Sequence, residues 1–245
     1  MGKTEALTTV DGSSLKRLGR YARFSTDDPS ARYVVLSLWI ITLIVIYPYF
    51  TTGTLGAMIF TFLVTFVMVT ALFTITGRGK YSYLALILVI PALITQWAFF
   101  LWGTEELRII SYALYLLVLT IVTISILIEV IKAKSPIPRH IIWGAIAVYL
   151  LIGLNFANLY SLIEAITPGS YLYAIDPGTL LGFTDLIYFS FVTLATLGYG
   201  DIVPMTAQAR SLAVMEAIIG ALYLAILISK LVSLSISSNE NKKTG

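Results

Sequence analysis

Long apolar runs, separated by short polar breaks, dominate the chain. Runs fall at 33–50, 54–76, 81–102, 107–131, 140–163 and 209–235. Each is close to or above the roughly 20 residues that a helix needs to cross a bilayer. The breaks carry turn residues: Thr51-Thr52-Gly53, Gly77-Arg78-Gly79-Lys80, Gly103-Thr104-Glu105-Glu106, and Lys132 to Arg139 with Pro136 and Pro138. The pattern predicts six spanning helices. Between the fifth and sixth lies a longer segment, Thr167 to Gln208, whose apolar run at 184–195 is too short to span and reads as re-entrant.

Composition agrees with this reading. Of 245 residues, 58% are hydrophobic and 12% charged, against about a quarter charged in a typical soluble domain. The mean hydropathy is +0.89. The fold class expected is therefore an all-α membrane protein. With no cysteine, disulfides and thiol chemistry are excluded. Orientation follows from the basic residues, which accumulate on the cytoplasmic side. With the N-terminus inside, only Arg108 and Arg210 of the 16 basic residues fall outside. Both termini are expected in the cytoplasm, the 167–208 segment outside, and the protein in the plasma (inner) membrane.

Residues 14–24 alternate basic and apolar side chains, which suits either an interfacial helix on anionic lipid or a basic tail. Membrane lipid, not nucleic acid, is the expected partner surface. No pair of histidines, acids or nucleophiles shares one membrane depth, so an enzyme is not expected.

The candidate chemistry lies in Thr196-Leu197-Gly198-Tyr199-Gly200-Asp201. Glycines flanking a tyrosine let the backbone turn successive carbonyl oxygens toward one axis, because glycine tolerates dihedrals that other residues avoid. Thr196 can add its hydroxyl oxygen beneath them. Four such strands would build oxygen cages able to replace the water shell of a potassium ion. Irregular backbone at membrane depth must be enclosed by protein, and one chain supplies one strand, so a symmetric oligomer is expected. The preceding run, Leu186 to Ala195, reads as a short helix capped by Thr184 or Asp185. Its C-terminal dipole would point at the membrane centre, the sign that favours a cation.

With those elements in order, residues 183–235 resemble the pore domain of potassium channels. Pro204 after the T-x-G-Y-G-D run, Arg210 opening the last helix, and Gly220 twenty residues after Gly200 extend the likeness. Ala209–Ala217 with Gly220-Ala221-Leu222-Tyr223 resembles bacterial six-helix, one-pore channels of the ion-transport family. The resemblance implies a homotetramer, with K⁺ held at Thr196, Leu197, Gly198 and Tyr199, Gly200 completing the filter and Asp201 at its outer mouth. It implies no cofactor beyond the permeant ion. Ala195 departs from the second threonine common in relatives. Implied domains are a cytoplasmic basic segment at 1–32, a sensor-like four-helix module at 33–133, a pore domain at 134–236 and a tail at 237–245.

Voltage-gated relatives carry arginines along the fourth helix, whereas residues 109–128 contain no basic residue. Charge moved through the field supplies about 2.3 kcal/mol per charge per 100 mV, so conventional voltage sensing is not expected. Other residues keep two readings each. Glu216, an acid within a span, is either a structural carboxyl bonded to the pore helix through Ser190, Thr193 or Tyr188, or a proton-sensitive gate element. Gly220 is either a hinge or a site of close helix contact. Tyr188, Phe189 and Thr193 support the filter laterally or simply pack. Lys230 is expected to snorkel to inner headgroups, Asn155 and Asn158 to bond between helices, and His140 to stand alone. The function expected is passive, K⁺-selective conduction. The alternatives are a non-selective or filter-gated cation channel and, further off, a potassium-transporter subunit.

Overall fold

The computed structural model describes residues 29–46, 49, 53–76, 80–134, 138–176, 178–179 and 181–243. The candidate interfacial helix at 14–24 lies outside them. The elements run α1 (Pro29–Ile46), α2 (Gly53–Ile75), α3 (Lys80–Trp102), α4 (Glu105–Lys132), α5 (Arg139–Ile166), β1 (Tyr171–Tyr173), α6 (Phe183–Leu194), β2 (Ile202–Pro204) and α7 (Ala207–Lys243). α7 continues past residue 236, where the pore domain was expected to end.

Five of these helices, α2 to α5 and α7, are long and apolar enough to cross a membrane. α1 is apolar but shorter, with 18 residues, or about 27 Å of helix. α6 has 12 residues and cannot span. Hydroxyl groups within the spans are spent locally. Thr61, Thr65, Thr74, Thr123 and Ser161 each donate to the carbonyl four residues earlier, which spares lipid-facing helices an unpaired donor.

α5 is the central helix. It packs against α4 and α1 on one side and against α6 and α7 on the other. One core joins α1–α4 to α5 through Leu36, Ile40, Met68, Val118, Val122 and Val148. A second core, around Tyr160, Tyr171, Leu186, Phe189 and Ile202, fixes α6 and the two short strands against the far end of α5. The outer faces remain apolar: Leu55, Phe73, Ile87 and Leu101 are exposed, as lipid contact requires. α7 is the least covered spanning helix, leaving Val214, Ile218, Leu222 and Ile226 exposed along its length.

Asn155 joins α4 to α5 as expected. It accepts from Thr120 Oγ1 (2.8 Å) and donates to Thr123 Oγ1 (3.0 Å). Asn158 instead donates to Leu154 O of its own helix. Lys230 differs from expectation too: its ammonium donates to the carbonyls of Val130 (2.9 Å) and Ile131 at the end of α4. His140 is not alone, since Glu129 lies 3.7 Å away and accepts a bond from Tyr33.

Candidate functional site

The site grows from the way α6 ends. Thr196 N–H donates to Thr193 O (2.9 Å), and Leu197 N–H donates to Val192 O (2.9 Å). Those two bonds form a Schellman motif with Ala195 as C-cap and Thr196 at the left-handed position that glycine usually fills. Thr196 has φ 57° and is the one non-glycine with positive φ among the described residues. A β-branched residue held there carries strain. Gly198 (φ 57°) and Gly200 (φ 77°) repeat the sign, while Leu197 and Tyr199 between them do not. In a uniform strand successive carbonyls point to opposite sides. Alternating handedness turns them toward the same side.

Downstream, the strand is tied back. Tyr188 OH donates to Asp201 Oδ2 (2.6 Å), linking α6 to the residue after the run. Ala174 N–H donates to Asp201 O (2.8 Å), and β1 pairs antiparallel with β2, Tyr171 opposite Pro204. Glu164, at the end of α5, accepts from the amides of Gly169 and Tyr171 and shapes the turn into β1. Thr206 accepts from Ala209 N–H to start α7. At the other end of α6 the N-cap is Gly182, and neither predicted capping residue occupies that position. Asp185 still acts there, accepting from Gly182 N–H at 2.7 Å.

Two glycines let α6 sit deep between its neighbours. A Cβ on Gly153 of α5 would lie 2.7 Å from the Phe191 ring, and one on Gly220 of α7 would lie 2.4 Å from Leu194 O. Gly220 is therefore a point of close backbone contact. Phe189 is buried among Tyr160 and Tyr171, ring centroids 5.3 and 5.5 Å away. Thr193 contributes its carbonyl to the Schellman motif. Burial holds the Tyr171 phenol above its ordinary pKa, with Glu164 adding to the shift.

Glu216 is fully buried and bonds α6 through Ser190, one of three candidates. Ser190 Oγ is 2.5 Å from Glu216 Oε1 and 2.7 Å from Gly153 O, while Tyr160 OH donates to Glu216 Oε2 at 2.5 Å. A serine hydroxyl carries one hydrogen. Both serine contacts are hydrogen bonds only when the carboxyl brings the second, donating to Ser190 as Ser190 donates to Gly153. A neutral Glu216 thus bolts α5, α6 and α7 together. Tyr160 and Gly153 were missed in the sequence, where each looked like an ordinary helix residue.

Within the single chain the run itself is uncovered: Leu197 is 57% and Tyr199 67% exposed. No group of three or more histidines, cysteines or acids that could hold a metal occurs among the described residues.

Residues 148–236 match a family described as an ion channel. Two-pore potassium channel 4 of Arabidopsis thaliana is 42% identical over 59 residues, covering 24% of this chain and 21% of its own length. The inward rectifier potassium channel Kirbac3.1 of Paramagnetospirillum magnetotacticum is 36% identical over 85 residues, 33% of this chain and 25% of its own. Protein LctB of Bacillus caldotenax is 30% identical over 107 residues, 42% of this chain and 78% of its own. The chain belongs to the same ion-channel family as these potassium channels. The chain spans about a fifth to a quarter of the length of the two named potassium channels. No solved structure matches it. The matched residues contain the second half of α5, α6, the Thr196–Asp201 run and most of α7, so the family likeness and the tied backbone run coincide.

Proposed function

We propose that four copies of this channel surround one axis, each contributing Thr196–Tyr199 oxygens to a stack of cages that conducts K⁺ passively. The carrying observation is the alternation of φ sign at 196, 198 and 200, on a strand held at both ends, by the Schellman bonds and by the Tyr188–Asp201 bond. Carbonyls on one side of a fixed strand are what ion dehydration needs. Gly200 lets the strand leave the axis, and Asp201 stands at the outer mouth. The exposed faces of Leu197, Tyr199 and α7 suit burial against neighbouring copies. On this reading α1 is a sixth span and both termini lie in the cytoplasm of a cell with this chain in its plasma membrane, as the distribution of basic residues suggests. The four helices α1–α4 form a sensor-like module that lacks sensing charge, the α5–α7 region forms the pore domain, and the chain is not an enzyme.

The test is flux into proteoliposomes with reversal potentials in a K⁺/Na⁺ gradient. Wild type is expected to pass Rb⁺ and to follow the potassium potential, and Gly198→Ala to lose that discrimination, since its φ of 57° strains any side chain. A Gly198→Ala protein as selective as wild type overturns the reading. Equal passage of Na⁺ by wild type would establish the non-selective alternative.

A further inference from the structure

Between α2, α3, α4 and the Gly169-proximal half of α5 lies a cavity of about 380 Å³, closed on one side by the start of α6. It belongs neither to the filter run nor to the Glu216 network. Of the polar side chains that line it, four each leave one buried atom without a protein partner: Gln96 Oε1, Arg108 Nε, Tyr115 OH and Asn158 Oδ1. These are four of the six such atoms among the described residues, gathered around one space. An unpaired buried polar atom costs about 1–3 kcal/mol, so the cluster is expensive unless something fills it.

The bonds already made define what is missing. Asn158 Nδ2 donates to Leu154 O at 2.8 Å, and Gln96 Nε2 donates to Thr61 O at 3.3 Å. Only the amide nitrogens can serve there, so both free atoms are carbonyl acceptors that need a donor. Tyr115 has a hydroxyl to donate or accept. A hydroxyl is the smallest group that meets both demands. A charged head is disfavoured, because the nearby charges are balanced: Arg108 pairs with Glu105 through Nη2, leaving its Nε as the buried donor still free, and Glu164 is taken by two backbone amides. The remaining wall is apolar, with Phe60, Phe99, Phe100 and Phe183. Tyr115 lies ten residues below the start of α4, about 15 Å down, which places the polar floor within the apolar layer.

We infer that this cavity binds an uncharged amphiphile of the alcohol class from the membrane. Its hydroxyl meets Tyr115 and Asn158, and its hydrocarbon body lies among the four phenylalanines. The volume falls in the range of small-ligand sites. Because the occupant touches α2–α4 and the first turn of α6 together, it joins the sensor-like module to the pore helix.

Trp97, whose ring centroid is 5.9 Å from that of Phe100, supplies the reporter. Full-length channel in detergent is titrated with 6-bromo-1-hexanol and, in parallel, with 1-bromohexane, following quenching that is absent in Trp97→Phe. Expected is saturable quenching by the alcohol. Tyr115→Phe and Asn158→Leu should each weaken it about fivefold, the value of one hydrogen bond, with bromohexane unchanged. Comparing variant with wild type for each probe cancels differences in micelle partition. Val64→Phe, which fills the cavity without removing a hydrogen bond, should abolish the saturable component for both probes. Non-saturable quenching by the alcohol, equal effects of Tyr115→Phe on both probes, or full binding by Val64→Phe would each overturn the inference and leave a water-filled crevice.

Discussion

Gly220→Ala separates two roles for the inner-helix glycine. The added methyl would stand 2.4 Å from Leu194 O, 2.9 Å from Leu194 Cδ1 and 3.3 Å from Leu194 C. An ordinary carbon–oxygen contact is about 3.3 Å or longer, so the two helices must separate by roughly 0.9 Å at this level. Leu194 O is backbone at the end of α6, two residues before Thr196, and it cannot swing aside as a side chain would. Overpacking typically costs about 1–3 kcal/mol, and a backbone obstacle argues for the upper end in each subunit. The shift falls on the Schellman turn that sets the Thr196–Asp201 strand. Expected are lower thermal stability in detergent and weakened K⁺/Na⁺ discrimination in proteoliposomes. A hinge role predicts otherwise: α7 runs unbroken through Gly220, and alanine would only stiffen it. A variant with wild-type melting and reversal potential but altered open probability would refute the packing argument.

Glu216→Gln should keep wild-type stability and a flat response from pH 5 to 8, because its amide donates to Ser190 and accepts from Tyr160 as the neutral acid does. Glu216→Leu should lose about 1–3 kcal/mol through the abandoned Tyr160 hydroxyl, and a Gln variant as unstable as Leu would mean an ionised carboxylate. Gly153→Ala should destabilise by about 1–3 kcal/mol through the Phe191 ring, with Phe191→Leu in the same chain restoring part of it. The folded chain holds the Tyr171 proton more tightly than the unfolded chain does. The stability tied to that proton is therefore intact below the ordinary phenol value near 10 and drains as pH climbs above it. Tyr171→Phe should flatten the loss of melting temperature between about pH 10 and 11, and an unchanged slope would contradict the assignment. Current–voltage records from planar bilayers should show open probability nearly independent of voltage, whereas steep activation would require gating charge outside α4.

Local chemistry made the spans, the short helix and the Thr196–Asp201 run readable, because apolar length and glycine spacing act within a few residues. Asp185 was misplaced: it was read as a candidate cap, whereas Gly182 holds that position and Asp185 bonds back to it from three residues inside. What escaped was tertiary. Glu216 stood in the sequence as an acid with three candidate partners, yet Tyr160, which completes its network, is 56 residues away. Gly153 matters only through a ring that arrives from another helix. Asn155 and Asn158 looked alike, but three residues of helix turn one toward α4 and the other toward a cavity. The pairing of β1 with β2 joins segments of three residues each, too short for an alternation pattern to show.

The absence of charge between residues 109 and 128 of α4 gains meaning from what holds that helix. A sensor helix must slide, by about 5.4 Å for one turn. Sliding α4 against α5 would break the Thr120–Asn155 and Asn155–Thr123 bonds. It would also pull the Val130 and Ile131 carbonyls away from the Lys230 ammonium, which sits where a helix C-terminus favours a cation. Hydrogen bonds are worth about 1 kcal/mol each and more when charged, so the resistance amounts to several kcal/mol. Against this, the membrane field does no work on the uncharged stretch 109–128. A helix fastened at mid-height to α5 and at its Lys132 end to α7 is held in place against both. A stimulus that reaches α5 and α7 through α4 must then change how α4 packs, because sliding it breaks these bonds.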